Sequence, residues 1–397
     1  MNLEKIYQSK SLNPWVFVTY DCSCKCPYCM IPEMKCNDKT MSSETFRKML
    51  EITEKLLEKD VYNQVHFRLS GGEPFLVFDN YKEIVTEYRK RYPNQINFGI
   101  LTNFVKFDDK IADWMELNNI GMQVSLDDLE NGKPLANGKS SSEAVLKNIQ
   151  KLQSRNIRFS INTVLDIDKT KDLTKLANFV SSFRNAEWGL NASYTENDPN
   201  KTNEVIKIFD DCIFQLVKCG FDIQNKLRFY NTVVGQNRGG CSAGVNSFAI
   251  GTNLELWSCQ SLCDKKHFGC FNENIKDTLM NAPDNVYFRE RRLRPECSDC
   301  PVLGLCRGGC RATHNDDNIN ETVCQIRINI IGKLSSGYYY KRQSGNTCNY
   351  NNTTCPIYNL NPADSKNNHA HEGLETILNK YTQENKTTEE VETPLLD

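Results

Sequence analysis

Residues 15–29 read Trp15-Val-Phe-Val-Thr-Tyr20-Asp-Cys22-Ser-Cys-Lys-Cys26-Pro-Tyr-Cys29, an apolar run that stops at a polar, cysteine-rich loop. The first half has the β-branched and aromatic composition of a buried strand. The second half sets three thiols at C-x3-C-x2-C spacing. Chemistry placed directly after a first strand suits an α/β sheet, whose sites lie at the C-terminal ends of its strands.

Five more strand-like runs follow, at 65–69, 96–101, 122–126, 157–165 and 186–190. Helical patterns separate them. Residues 43–59 repeat apolar side chains at Phe46, Met49, Leu50 and Leu57, near the 3.6 period, and 142–152 sets Val145, Leu146, Ile149 and Leu152 on one face. Ser140 and Glu143 are spaced as a capping box for the latter. Six β-then-α units predict a parallel sheet with helical crossovers, closing into a barrel or partial barrel.

The bulk numbers bound the function. Forty-eight basic and 50 acidic residues leave a net charge of -2, so no basic field supports a nucleic-acid partner. No apolar run approaches the roughly 18 residues of a membrane span. The N-terminus is polar, without a signal-peptide core, and a cytoplasmic location is expected. Eighteen cysteines in a chain of 397 residues are the anomaly. In a reducing compartment they point to metal rather than disulfides. Sixteen of them fall in two regions, five from Cys22 to Cys36 and eleven from Cys241 onward, with only Cys212 and Cys219 between.

On spacing, three thiolates on one tight loop can ligate three irons of a cubane and leave the fourth open for a chelating ligand. A zinc loop is the alternative, although it favours four ligands at C-x2-C spacings.

The triplet, with Tyr28 before its last cysteine, resembles the signature of the radical S-adenosylmethionine (SAM) superfamily. Ser70-Gly71-Gly72-Glu73-Pro74, after the second strand, resembles the family's GGEP motif. Leu101-Thr102-Asn103 resembles its TNG segment, with Phe104 in place of the glycine. Val124-Ser125-Leu126-Asp127 resembles its SLDG segment, with Asp128 in place of the glycine. Asn162-Thr163-Val164 also fits.

The resemblance implies that Cys22, Cys26 and Cys29 hold a [4Fe–4S] cluster. Tyr28, Gly71, Gly72, Glu73, Pro74, Thr102, Asn103, Ser125 and Asn162 would contact SAM. Glu73, facing the methionine amino group, and Ser125 would take the catalytic roles. Paired glycines let backbone approach a ligand closely. The family's arginine for the SAM carboxylate has no counterpart; the loop 131–139 has only Lys133 and Lys139. The implied reaction is one-electron cleavage of SAM to a 5′-deoxyadenosyl radical, which takes hydrogen from an unactivated carbon. The cofactor supplies that chemistry, and the protein supplies positioning.

Downstream, Cys297, Cys300, Cys306 and Cys310 stand at C-x2-C-x5-C-x3-C spacing. Cys324 follows after thirteen residues, and Cys241 and Cys259 precede, separated by seventeen. The order resembles the SPASM domain, which holds two auxiliary [4Fe–4S] clusters. Carried over, Cys297, Cys300, Cys306 and Cys324 hold one cluster. Cys241, Cys259 and Cys310 hold the other, with Cys263, Cys270 or an open position as its fourth site. A glycine usual five residues before the cysteine at 259 is Leu254 here, with Gly251 nearby.

The expected architecture is a partial (β/α)6 TIM barrel over 1–225, a SPASM auxiliary-cluster domain with connector over 226–340, and a polar, partly disordered tail over 341–397. Enzymes resembling this layout mostly modify peptides. A thioether or C–C crosslink in a ribosomally made peptide ranks first. Sulfatase (formylglycine) maturation ranks second, because the catalytic Asp of that group is replaced by Gln260. A non-catalytic iron–sulfur electron carrier ranks last. The expected partners are a precursor peptide or protein, a one-electron donor such as flavodoxin or ferredoxin, and a separate leader-binding protein. Because only 21 residues precede Cys22, too few for a leader-binding module, leader recognition is expected to fall to that separate protein, the barrel surface or the tail.

Overall fold

The computed structural model describes residues 10–29, 31, 39–152, 154–155, 157–166, 170, 172–183, 186–192, 199–228, 242–263, 267–281, 297, 299–302 and 321–343. They form two compact units. The first gathers residues 1–165, 183–193 and 239–292, and the second gathers 166–182, 194–238 and 293–397.

The first unit is built on one sheet. Its strands are β1 (Ser11–Leu12), β2 (Trp15–Thr19), β3 (Gln64–Gly71), β4 (Ile96–Thr102), β5 (Gly121–Ser125), β6 (Phe159–Leu165), β7 (Glu187–Ala192), β8 (Ala249–Ile250) and β9 (Leu256–Trp257). The order β7-β6-β5-β4-β3-β2 is sequential, and every pair in it is parallel. This is the partial (β/α)6 barrel expected from the sequence. The short strand β8 extends the sheet beyond β2 in parallel, and β9 runs antiparallel to β8.

Antiparallel hairpins need two residues, whereas parallel neighbours need crossovers. Here the crossovers are α1 (Ser43–Glu58), α2 (Phe78–Arg91), α3 (Asp109–Leu117) and α4 (Ser142–Leu152). Helix α1 starts where Ser42 Oγ accepts the Thr45 N–H at 3.0 Å. It buries Phe46, Met49, Leu50, Leu56 and Leu57. At roughly 1.5–3 kcal/mol each, those five side chains together contribute on the order of 8–15 kcal/mol before the entropy cost of ordering them. Ser140 does not cap α4 in the expected way. Its hydroxyl accepts the N–H groups of Gly132 and Ser142, tying the turn before the helix to the loop after β5.

The strand faces alternate as a half-covered sheet requires, and β4 reads buried–half-buried throughout. Phe67 and Phe98 stack at 5.5 Å between β3 and β4. Every β-strand C-terminus from β2 to β6 therefore ends on one edge, because all run the same way.

The second unit is helical. It holds α5 (Thr174–Ser181), α6 (Thr202–Lys218), α7 (Ile223–Lys226), α9 (Glu321–Ser335) and α10 (Tyr338–Gln343); α8 (Ile275–Asn281) belongs to the first unit. Helix α6 buries Val205, Ile208, Phe209, Cys212, Ile213 and Leu216 against α5, α9 and α10. Asp210 is the polar centre of this packing. It takes a hydrogen bond from Tyr339 Oη at 2.7 Å and an ion pair from Lys333 Nζ.

Among the described residues no helix is long and apolar enough to cross a membrane. Cys36, Cys241, Cys306, Cys310, Cys348, Cys355, the glycines after Cys306 and the tail beyond 343 lie outside the described residues.

Candidate active site

The cysteine loop leaves β2 and is held in place from two sides. Gly72 N donates to Thr19 O at 2.7 Å, and Glu73 N donates to Asp21 O at 2.8 Å. On the other side, Lys25 N donates to Pro134 O at 2.7 Å and Ala136 N donates to Ser23 O at 3.1 Å. Cys24 pairs with Leu135 as an isolated antiparallel bridge. The loop after β5 thus straps the loop after β2.

The two glycines serve this contact. A Cβ on Gly71 would stand 2.0 Å from Thr19 O, and a Cβ on Gly72 would stand 2.0 Å from Asp21 O. Gly71 also sits at a positive φ of 134°. The sequence reading reserved this close approach for a ligand. The backbone that approaches is the protein's own, carrying the cysteines.

Glu73 is fully buried. Its Oε1 accepts from Thr102 Oγ1 at 2.8 Å and from Phe75 N at 3.1 Å, and its Oε2 accepts from Asn103 N at 2.7 Å. Burial pushes its carboxyl up to about 7, against the pull of these three donors. Asn103, so fixed, reaches back to the loop. Its Nδ2 lies 3.5 Å from Cys22 Sγ and 3.0 Å from Ser23 Oγ. A continuous chain runs from the β3 end through the β4 end to the first thiol.

The three thiols differ. Hydrogen bonding from Cys24 holds the Cys22 thiol down to about 6. Burial pushes Cys26 up to about 11 and raises Cys29 as well. The Lys133 ammonium pulls all three downward. Lys133 is only 8% exposed. Its Nζ donates to Asp127 Oδ2 at 2.6 Å and to Tyr28 Oη, and sits 4.9 Å from the Tyr28 ring centroid. Tyr28 Oη in turn donates to Asp127, and Asp127 Oδ1 accepts the Val164 N–H at 2.9 Å.

The donor set fits an iron–sulfur cluster. Three thiols share one loop, and the Cys22 sulfur already accepts two N–H groups, from Cys24 and Asn103. Among the described residues no three His, Cys, Asp or Glu side chains converge on a single metal-ion position. A cubane, which takes one thiolate on each of three irons, asks for no such convergence.

Two positions where glycine was expected carry bulky residues, and both adopt the glycine backbone. Phe104 has φ 60° and Leu254 has φ 68°. Each is nonetheless anchored by burial, with the Phe104 ring 4.6 Å from that of Phe107. Asp128 takes a different route and caps its turn, accepting from Glu130 N at 2.7 Å and Asn131 N at 2.6 Å.

Of the remaining expected residues, Ser125, the last residue of β5, and Asn162, midway along β6, are neighbours by register and are half-buried. Asn162 Oδ1 accepts from Asn191 Nδ2 at 3.0 Å. Pro74 and Thr102 are buried. Cys259 follows β9, and its Sγ accepts the Ser261 N–H at 3.4 Å. Cys263 packs against Phe17, Ala249 and Trp257 and donates to Gln260 O, while Cys270 is exposed. In the second unit Cys300 N donates to Cys297 O at 3.2 Å, and Cys324 is half-buried on α9.

The pairing of Lys133 with Asp127 and the contact of Asn103 with Cys22 were missed in the sequence. The one available signal was that Lys133 is among only two cations in its loop.

Residues 16–180 match the model of the Radical SAM superfamily. An uncharacterized protein of Methanocaldococcus jannaschii is 34% identical over 167 residues, which are 41% of this chain and 55% of that protein, so the chain spans about half of that relative. A cysteine-type anaerobic sulfatase-maturating enzyme of Clostridium novyi is 25% identical over 333 residues, 76% of this chain and 88% of the relative. The radical SAM cyclopropyl synthase TigE of Paramaledivibacter caminithermalis is 21% identical, over 74% of this chain and 66% of its own length. Among solved structures, native anSMEcpe with bound AdoMet and Cp18Cys peptide superposes with a TM-score of 0.68 at 18% identity, over 85% of this chain and 100% of that one. That likeness concerns the fold.

Proposed function

We propose, from the premise that the chain is an enzyme of the radical SAM superfamily, that it cleaves SAM reductively and abstracts hydrogen from a residue of a peptide substrate. The observation that carries this reading is the hydrogen-bond chain Glu73–Asn103–Cys22, which joins the GGEP segment to the first cluster thiol.

When bound, a [4Fe–4S] cluster and SAM supply the one-electron cleavage and the hydrogen-abstracting radical. Cys22, Cys26 and Cys29 would hold the cluster as thiolates. Glu73 fixes the β4 end through Thr102 and Asn103 and would offer an acceptor to the SAM amino group. Gly71, Gly72 and Pro74 shape that wall. Ser125 and Asn162 would present polar groups from adjacent strands, and Tyr28 is fixed by Asp127 and Lys133. The division into a radical-forming part over 1–225 and an auxiliary-cluster part over 226–340 belongs to the same reading. So do two auxiliary clusters, one on Cys297, Cys300, Cys306 and Cys324, the other on Cys241, Cys259 and Cys310. An external one-electron donor and a separate leader-binding protein complete it.

The substrate is a peptide in this reading, and a thioether or C–C crosslink is the product ranked first. Gln260 supports that ranking. Its side chain is an amide, which cannot act as a carboxylate base. The likeness to a sulfatase-maturating enzyme over three quarters of the chain favours formylglycine formation as the second reading.

The test is direct. Reconstitute the protein anaerobically, reduce it, add SAM and assay 5′-deoxyadenosine. Wild type forms it, and Cys22→Ala, Cys26→Ala and Cys29→Ala do not. A fully loaded, reduced wild type that forms none overturns the proposal. Tandem mass spectrometry of a precursor peptide co-expressed with the enzyme then separates the two products, since a crosslink joins two residues and suppresses fragmentation between them, whereas a formylglycine alters one residue and carries an aldehyde that a hydrazine probe captures.

A further inference from the structure

We infer that Asn103 is a positioning residue for the cluster on Cys22, Cys26 and Cys29, its carboxamide donating an N–H to the Cys22 sulfur and raising the cluster's reduction potential. The inference rests on the reading of those cysteines as cluster ligands and goes beyond it, since the TNG resemblance places Asn103 against SAM.

The orientation of the carboxamide follows from its partners. Asn103 Oδ1 accepts the Val105 N–H at 3.1 Å. An oxygen is required there, so the nitrogen faces the loop. Its two hydrogens are then both spoken for, one by Cys22 Sγ at 3.5 Å and one by Ser23 Oγ at 3.0 Å. The residue is 7% exposed, and its main chain is clamped by Glu73 Oε2. The left-handed backbone of Phe104 follows it directly. Side chain and main chain are both held, so the donor is pre-placed rather than recruited.

A thiolate sulfur becomes more negative when its cluster gains an electron. A fixed N–H donor therefore favours the reduced form, and hydrogen bonds to the sulfurs are among the terms that set cluster potentials. Cys24 N supplies a second donor to the same sulfur at 3.4 Å. Removing the Asn103 donor leaves that one in place, so a graded shift is expected rather than loss of the cluster.

The experiment compares wild type, Asn103→Ala and Asn103→Asp after anaerobic reconstitution, with iron and sulfide quantified. Reduction is followed by EPR in a potentiometric titration without SAM. Both variants should reduce less readily, by about threefold to tenfold in the equilibrium constant for Asn103→Ala and by more for Asn103→Asp, which places an acceptor against the sulfur. A tenfold change is about 59 mV for one electron. A second readout needs no variant. Wild type grown with 15N-asparagine should show a weak 15N coupling to the reduced cluster by pulsed EPR.

Variants loaded to the wild-type level with an unchanged potential overturn the inference. So does a shift that appears only when SAM is present, which would return Asn103 to the SAM site. Absence of the 15N coupling also overturns it. A wild type that assembles no cluster at all instead refutes the proposed function.

Discussion

Lys133 Nζ and Asp127 Oδ2 lie 2.6 Å apart with side chains only 9% and 13% exposed, so an ion pair is buried beside the cysteine loop. Both partners also bind Tyr28, which sits inside the loop between Cys26 and Cys29. A buried pair adds little net stability, but removing one member strands a charge at a cost of about 3–5 kcal/mol. Lys133→Met should therefore destabilise by that amount in urea unfolding. The double variant Lys133→Met with Asp127→Asn should recover most of it, because the carboxamide oxygen introduced at position 127 can still accept the Val164 N–H. Additive losses in this cycle would show that the pair is not coupled.

Gly72 has no room for a side chain, since a Cβ would meet Asp21 O at 2.0 Å and Tyr20 O at 2.7 Å. Both obstacles are backbone, so the strain has to move the start of the cysteine loop. Gly72→Ala should keep its helical circular dichroism while iron uptake falls severalfold. Gly99→Ala is the control: its nearest obstacle is the end of the His66 side chain at 3.3 Å. Equal iron uptake by both variants would remove the assigned role of Gly72.

Glu73 has a folded-state pKa raised to about 7 from 4.5, chiefly by burial. A raised carboxyl binds its proton more tightly in the folded than in the unfolded chain. Its contribution is therefore fully present below pH 4.5 and is lost as pH rises through about 7. The loss is about 3 kcal/mol, from 1.36 kcal/mol per pKa unit. Glu73→Gln cannot titrate. The stability of the cluster-free wild type relative to this variant should fall between about pH 5 and pH 8, and a pH-independent difference would contradict the assignment.

Leu254 and Leu256 are both buried, at 6% and 0% exposed, yet Leu254 alone has a left-handed backbone. Leu256→Ala should cost roughly the usual 2–5 kcal/mol of a core deletion. Leu254→Gly loses a similar side chain but relieves roughly 1–2 kcal/mol of backbone strain. Thermal unfolding should rank Leu254→Gly as the milder change. The reverse ranking would mean that the positive φ stores no strain.

The sheet and the cysteine loop were readable because their signals are local. Apolar runs at 96–101 and 122–126 became β4 and β5 within a residue or two, and 142–152 became α4. Period and propensity act over a few residues, and a short loop carries its spacing wherever it lies. The exception proves the same point. Ser140 had the spacing of a capping box, but Gly132, eight residues away, took its hydroxyl.

By itself the sequence determined the parallel α/β architecture and the placing of Cys22, Cys26 and Cys29 after the first strand, and it carried the resemblance to the radical SAM superfamily. Only the tertiary structure decided what surrounds that loop. Asn103 is 81 positions from Cys22 and Lys133 is 105 from Tyr28, and each contact exists because parallel strands bring their C-terminal ends to one edge. Tertiary structure also decided that Phe104 and Leu254 can occupy glycine conformations. Backbone strain of that size is invisible to local propensity, and it persists where burial of the side chain offsets it.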